Sequence, residues 1–408
     1  MSPVQIAKLT NGITILVVEN PVTDIVAGRC FMAGGAKLET AANAGISHLL
    51  MRLLPRGTTT LNSQAIATEI ESLGAAMATE ASPDYFGLGF KTLGADFAQV
   101  LALTAAILRT PSLAATELEL ERRLTLQGIK AQQERPFTLA FGILQQLIYG
   151  EHPYGLPSLG TAETIGRLSR EQLEAFHHQH FVPQHLVISI AGSIKAEQAI
   201  ALVEEYFGDW QPKAKTLGLN LPTPQLKSEK IITVQEIQQA LLILGYLAPS
   251  VTSPDYAVLK LIASYLGSGV SSRLFVELRE KQGLAYEVSA FYPTRVSNSE
   301  LVSYIGTSPH QADAALAHLQ LETERLVTEY LTSHELQIAK TKLLGQYAMS
   351  KQTNGEVAQI YGWYQTLGLG VEFDRKYVEL VSQITIDDVK QAAAKYLRNP
   401  AISIIRPE

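Results

Sequence analysis

Cysteine is almost absent from this chain, and that absence excludes one class of protein. The 408 residues include a single cysteine, Cys30. One thiol cannot close an internal disulfide, so a framework stabilised by disulfides is excluded. Cys30 stands in an apolar run, which favours a place in the hydrophobic core over a role as a nucleophile.

Charged residues are also scarce. They make up 18% of the chain, where about a quarter is usual, and the mean hydropathy is +0.08. This composition suggests that part of the surface is buried between subunits, so we expect a dimer. The net charge is −6 and no basic run occurs, which argues against nucleic acid as the main partner.

Long apolar runs are missing too. No apolar stretch reaches the roughly 18 residues that a transmembrane helix needs, so we expect no membrane insertion. The start of the chain, Met1–Lys8, lacks a basic region followed by an apolar region, so no secretory signal is predicted. We expect a cytoplasmic protein, or one of another soluble compartment if a targeting segment was removed.

The chain contains an internal repeat. In the first half, a helix with Ser169 and Gln172 spaced as a capping box leads to the strand Leu186–Ile190. In the second half, a helix that opens near Ile384 leads to the strand Ala401–Ile405. Each half also begins with a predicted pair of strands: Ile13–Val18 with Ile25–Met32, and Lys230–Val234 with Ala240–Tyr246.

Strands mixed with long helices in each half predict an α+β fold of two similar domains. Each domain is expected to hold a mixed, mostly antiparallel sheet packed with long helices. The predicted domains are residues 1–212 and 228–408. Residues 213–227 are polar and contain two prolines, so they are predicted to be the linker.

The stretch Gly45–Thr58 is informative because of what it lacks. A helix with H-x-x-E-H can bind zinc through two histidines and activate a water with the glutamate. Here the three positions read His48, Met51 and Arg52. Met51 cannot accept a proton from water, and Arg52 stays cationic and repels Zn²⁺. A lone His48 leaves too few ligands, so no metal is predicted in this chain.

Three motifs in order resemble the pitrilysin/insulinase family, specifically its branch with the mitochondrial processing peptidase. The first is the frame formed by Gly45, His48, Gly57 and Thr58. The second is the run Glu121–Gly128, in which Gly128 falls where active members place the glutamate that is the third zinc ligand. The third comprises Ser271–Phe275 and Arg279–Tyr286, close to the signature of the family's second half.

The resemblance implies a role for Arg279 and Tyr286. They are spaced as the arginine and tyrosine that in active members hold the substrate backbone and the oxyanion of hydrolysis. In heterodimers of the family these groups come from the subunit without zinc and reach the zinc of the partner. The alternative is that both residues have only structural roles. Arg279 would then pair with Glu277 or Glu280 on the helix surface, and Tyr286 would be an ordinary strand residue.

Two further clusters are candidate sites. The small-residue loop Gly267–Ser272 is a weak phosphate cradle, because it lacks a lysine and the P-loop spacing, and the next residue, Arg273, is expected to be structural. A dense set of histidines raises the possibility of a metal, but a helix break near Pro183 should point them in different directions: His177, His178, His180 and His185.

Three functions therefore stand open. The first is a non-catalytic subunit of a heterodimeric zinc endopeptidase, which forms half of a chamber for peptides and gains its zinc from an active homologue. The second is a scaffold or peptide-binding protein without proteolysis, similar to the core subunits of a respiratory complex. The third, a peptidase with displaced zinc ligands, is disfavoured because three of the four zinc-site groups are missing together.

Overall fold

A computed structural model describes residues 3–213 and 221–408 of the chain. Its strands are β1 Gln5–Lys8, β2 Thr14–Glu19, β3 Ile25–Ala33, β4 Ala76–Ala81, β5 Tyr85–Leu93, β6 Leu186–Gly192, β7 Lys230–Val234, β8 Ala240–Ala248, β9 Glu287–Phe291, β10 Ser299–Thr307 and β11 Ala401–Arg406.

Long helices make up most of the remaining structure, and a π-helix spans Phe275–Lys281. The α-helices are α1 Ile46–Leu53, α2 Ser63–Ser72, α3 Phe97–Arg109, α4 Ala115–Gln133, α5 Pro136–Tyr149, α6 Ala162–Arg167, α7 Arg170–His180, α8 Ala196–Phe207, α9 Tyr256–Gly267, α10 Ala312–Thr328, α11 Ser333–Met349, α12 Asn354–Thr366, α13 Phe373–Gln383 and α14 Ile386–Tyr396. None of the helices in the described ranges combines the length and apolar character that a bilayer span requires.

The first of two compact units comprises, of the described residues, 3–129, 157–213 and 349–374. Its sheet has the order β1-β2-β6-β3-β5-β4, in which only β2 and β6 run parallel. Ile15 and Val17 of β2 face the main core beneath α1 and α3, whereas Leu16 and Val18 pack towards α12. Both faces of the sheet are covered, which explains why its central strands are apolar without alternation.

The second unit comprises residues 130–156, 221–348 and 375–408. Its sheet has the order β7-β11-β8-β10-β9, in which only β7 and β11 run parallel. Leu144 and Ile148 of α5 pack in one cluster with Ile243 of β8 and Ile405 of β11. Helix α9 contacts β9 and β10, and α10 contacts α14.

The two sheets confirm the predicted repeat and the α+β fold. In the first sheet the last strand in the sequence, β6, lies parallel to β2, and in the second sheet the last strand, β11, lies parallel to β7; three antiparallel strands follow in each. The predicted strand pairs were wrong in one respect, because β6 lies between β2 and β3, and β11 lies between β7 and β8. The capping box of Ser169 and Gln172 is present at the start of α7.

Each unit includes a helix from the other half of the sequence. Helix α12 packs on the sheet of the first unit, and α5 packs on the sheet of the second. Gly362 makes the close approach of α12 possible, since a Cβ there would overlap the Phe31 ring. Each predicted domain is one continuous segment of the chain, whereas each unit is made of three separate segments. Residues 214–220 of the predicted linker lie outside the described residues.

Candidate functional site

Helix α1 carries the three positions predicted to be a degenerate zinc motif, and a buried acid fixes where the helix begins. Gly45 precedes the helix with φ +89°, and a Cβ there would lie 2.6 Å from the Leu159 carbonyl oxygen. The backbone N–H groups of Gly45 and Ser47 donate to the Glu39 carboxylate at 2.8 and 2.9 Å. Burial raises the pKa of Glu39, and these hydrogen bonds oppose that effect.

The side chains of the motif have separate environments. Met51 is 1% exposed and belongs to the core, and its carbonyl accepts a hydrogen bond from the Thr79 hydroxyl at 2.6 Å. His48 is half-buried, and its pKa is lowered by burial first and by the Arg52 charge second. An imidazole with a lowered pKa is neutral at pH 7 and adds no charge to the site.

Arg52 forms an ion pair that the sequence did not reveal. Its Nε donates to Oε2 of Glu121 at 3.2 Å, and Arg56 contacts the other oxygen of the same carboxylate at 2.5 Å. Glu121 lies on α4 and is 1% exposed, whereas Arg52 and Arg56 are 48% and 34% exposed. Two guanidinium groups therefore meet one buried carboxylate, and the cluster carries a net positive charge where a zinc site would need anionic or neutral ligands.

Gly128 lies further along α4, in the helix interior. A Cβ at this position would meet only Leu159 Cδ1, at 3.4 Å, so no neighbouring side chain has filled the space of the missing ligand. Because Leu159 also approaches Gly45, Gly128 lies near the first turn of α1. The four positions do not fit zinc, because His48 is the only one of them whose side chain is a usual zinc ligand.

The predicted substrate residues Arg279 and Tyr286 lie in the second unit. Arg279 is exposed on the π-helix, and its guanidinium lies over the Phe275 ring at 5.0 Å from the centroid. Neither predicted acid pairs with it. Glu277 bonds Lys281 at 2.9 Å and lies 3.6 Å from Arg273, and within residues 3–213 and 221–408 Arg279 has no ion pair.

Tyr286 precedes strand β9 and is 56% exposed. Its backbone N–H donates to the Gly306 carbonyl at 2.9 Å, which fixes the main chain, while its hydroxyl has no hydrogen-bond partner in the described part of the chain. The guanidinium of Arg279 and the phenol of Tyr286 are thus both hydrogen-bond donors without an internal acceptor. Seven-residue π-helices are rare and often occur at functional sites.

The histidine cluster does not converge on a metal. His177 is buried, its Nε2 donates to the Leu108 carbonyl at 2.9 Å, and burial lowers its pKa to about 4. Across residues 3–213 and 221–408, no group of three His, Cys, Asp or Glu side chains is arranged to hold a metal ion. Arg273 donates to Glu322 at 2.7 Å, as expected of a structural residue.

Two family models match the chain in succession. The model described as Insulinase (Peptidase family M16) matches residues 14–162, and the model described as Peptidase M16 inactive domain matches residues 167–343. Among curated proteins, the chain is 29% identical over 364 residues to the uncharacterized zinc protease YmxG of Bacillus subtilis, with 88% of each chain covered. It is 26% identical to an uncharacterized zinc protease of Rickettsia felis, with 98% of this chain and 96% of that protein covered.

Two solved structures have the same fold as this protein over almost its whole length. A peptidase M16 inactive domain protein from Pseudomonas fluorescens has a TM-score of 0.93 and 25% identity, with 100% of this chain and 98% of that chain covered. A protease from Helicobacter pylori has a TM-score of 0.94 at 19% identity, with 99% of each chain covered, and supports the fold alone. The chain therefore belongs to the insulinase family of peptidases, M16.

Proposed function

We propose that this protein is the non-catalytic subunit of a two-subunit zinc endopeptidase. It forms half of the peptide-binding chamber and supplies Arg279 and Tyr286 to a substrate held at the zinc of an active homologue. The observation that carries the proposal is a contrast within the chain. The zinc positions have lost their chemistry, while the two substrate residues remain exposed and without internal partners.

The state of the zinc positions supports the absence of catalysis by the chain alone. Met51 is packed in the core, so it leaves no path for water to a base at that position. Arg52 and Arg56 form ion pairs with Glu121, and their positive charges oppose the binding of Zn²⁺ beside them. Proteolysis by this chain alone would need ligands that the described residues do not supply.

The state of Arg279 supports a role outside the chain. Ion pairs on a helix form between residues three or four positions apart, and neither Glu277 nor Glu280 stands at that spacing from Arg279. Glu277 instead contacts Lys281 and Arg273, and the Arg279 guanidinium lies over the Phe275 ring. The N–H groups of Arg279 are therefore left for an external carbonyl, and a guanidinium fork suits that task.

Tyr286 complements this arrangement. A phenol donates one hydrogen bond, and a donor aimed at developing negative charge stabilises the transition state more than the substrate. A protein that only serves as a scaffold does not require such donors. The alternative function, peptide binding without proteolysis, would use the same two residues to hold a substrate carbonyl and no more.

The proposal is tested by purification from the native host followed by a peptidase assay. We expect the chain to co-purify with a homologue that contains H-x-x-E-H, and we expect activity from the complex and none from this chain alone. Sedimentation should detect a dimer at micromolar concentration, either with itself or with that homologue. A complex that forms without any gain in peptidase activity would favour the alternative, and a persistent monomer would contradict both.

A further inference from the structure

A cavity of about 190 Å³ lies in the second unit. It is bounded by the end of α9, by the start of the π-helix and by α11. Its walls include Ser264 and Ser271 on one side, and Ile338 and Lys342 of α11 on the other. The cavity has room for a small polar group together with water.

Lys342 is the charged group that makes this cavity unusual. Its ammonium has no hydrogen bond or ion pair within the described part of the chain. A Cβ placed on Gly269 would lie 3.7 Å from Lys342 Nζ, so the ammonium lies against the loop Gly267–Ser272. Burial lowers the pKa of Lys342, as expected for a partly desolvated cation without a counter-ion.

The carboxylates that line the cavity are engaged elsewhere. Glu335 accepts hydrogen bonds from the Tyr265 hydroxyl at 2.8 Å and from the Thr332 N–H at 2.9 Å. Glu277 is bonded to Lys281 at 2.9 Å. The positive charge of Lys342 therefore remains available to a ligand.

The loop adds hydrogen-bond donors to this charge. Gly269 has φ +74°, and the N–H groups of Gly269, Val270 and Ser271 have no acceptor among the residues that the structure describes. Gln346 of α11 donates to the Ser268 hydroxyl at 2.9 Å, which ties the loop to the helix that carries Lys342. Successive free N–H groups at a left-handed glycine are a known arrangement for holding anions.

One buried hydroxyl on the cavity wall is a further possible hydrogen-bond donor to an anion. Ser264 is 7% exposed and lines the cavity, and its Oγ has no hydrogen-bond partner in residues 3–213 and 221–408. The sequence lacked a lysine near the loop, and the fold supplies one from a helix that lies far along the chain.

We propose that this cavity is a binding site for a small oxyanion, held by Lys342 Nζ and by the free N–H groups of the adjoining loop residues 269–271, of which Ser271 lines the cavity. The oxyanion is either inorganic phosphate or the terminal carboxylate of a peptide, since both present oxygens to a cation and to N–H donors. Val276 and Glu277 line the cavity and belong to the π-helix that carries Arg279. The ligand thus binds beside the helix of the proposed substrate residue, and its binding does not require a partner subunit.

The test is calorimetric titration of the isolated full chain with three ligands: inorganic phosphate, a short peptide with a free C-terminal carboxylate, and the same peptide with an amidated terminus. We expect saturable binding of phosphate or of the free-acid peptide, and none of the amidated peptide. Lys342→Met should weaken binding about tenfold to a hundredfold, because it removes a charge-assisted hydrogen bond. Lys342→Arg should retain binding.

Lys340→Met is the matched control. Lys340 lies on the same helix, is partly exposed, and donates to the Ser382 carbonyl, so the variant loses the same charge outside the cavity. Backbone NMR signals of residues 269–271 should shift on titration in the wild type and in this control. Binding of phosphate alone would identify a free-ion site, and binding of the free-acid peptide would identify a peptide-terminus site. Absence of binding by both, or equal binding by Lys342→Met and the wild type, would overturn the proposal.

Discussion

Two substitutions should create a zinc site at the predicted degenerate motif. Arg52→His places a second histidine four residues after His48 on α1, and Gly128→Glu adds a carboxylate on α4. The Arg52 side chain already reaches α4, as its contact with Glu121 at 3.2 Å demonstrates. Gly128 has room for a side chain, since only Leu159 Cδ1 lies near its Cβ position. Two histidines and one glutamate are a known ligand set for Zn²⁺.

The expected free energies favour the double variant. Loss of the half-exposed Arg52–Glu121 pair costs about 0.5–1 kcal/mol, and Arg56 continues to neutralise Glu121. Replacing a glycine in a helix interior returns roughly 0.5–1 kcal/mol. Zinc at about a hundred times its dissociation constant adds about 2.7 kcal/mol. The variant should therefore match the wild type in stability without zinc and exceed it by about 2.7 kcal/mol with zinc.

Met51 is left unchanged in this design for a structural reason. A glutamate there would place a carboxylate in the core, because Met51 is 1% exposed. The double variant consequently separates metal binding from the question of a catalytic base. We expect it to bind zinc and to remain inactive as a peptidase.

The assay is thermal unfolding with and without zinc, together with zinc titration of the folded protein. The wild type and the double variant with His48→Ala added are the controls, and neither should respond to zinc at the same concentrations. A double variant without a zinc-dependent shift, or a shift that survives His48→Ala, would refute the inferred geometry of α1 and α4.

Three further outcomes follow from burial and packing. Glu121→Gln should lower the free energy of unfolding by about 2–3 kcal/mol, because it leaves two guanidinium groups beside a buried neutral side chain, whereas Glu119→Gln, at an exposed position, should change it by less than about 0.5 kcal/mol in denaturant unfolding. The pKa of His177 in the folded state, about 4, lies below its usual value, so its contribution to the free energy of unfolding is complete above pH 6.5. About 3 kcal/mol of this stability is lost as the pH falls from 6.5 to about 4, because the unfolded chain binds the proton first. His177→Gln should flatten this part of the pH–stability curve. Gly362→Ala should destabilise the protein by about 1–3 kcal/mol through overlap with a ring on β3, whereas Gly345→Ala, in open space on α11, should stabilise it by up to about 1 kcal/mol in thermal unfolding.

Local features of the fold were predictable from the sequence. The capping box of Ser169 and Gln172 marks the start of α7, and the apolar run after Pro183 became β6. These features depend on residues close together in the chain, so their pattern is visible without a structure. The repeat was visible for the same reason, because each half carries the same local patterns in the same order.

Long-range pairing was not predictable in the same way. No local pattern indicates that β6 inserts beside β2, because strands buried on both faces are similar apolar runs. The exchange of α5 and α12 between the halves was also hidden. A helix that fits a sheet is recognisable by its apolar face, but that face does not identify which sheet it covers.

The candidate site shows the same division. The spacing of His48, Met51 and Arg52 predicts a degenerate motif on one helix, and the three residues do lie on α1. The place of Glu121 was not predictable, because an acid on a long polar helix usually faces solvent, and its burial depends on guanidinium groups from α1 and from the turn after it. Lys342 was missed because its position against the Gly267–Ser272 loop arises only from the packing of α11.

The central claim, that Arg279 and Tyr286 act on a substrate held by the partner, is tested most directly by kcat of the reconstituted complex. We predict that Arg279→Ala or Tyr286→Phe lowers kcat roughly 10²–10³-fold, as loss of one oxyanion donor does, while the complex still forms. The matched controls are Arg398→Ala, an exposed arginine, and Tyr330→Phe, a tyrosine that is 63% exposed; both should leave kcat unchanged. Full activity of an intact complex that carries Arg279→Ala together with Tyr286→Phe would contradict the account.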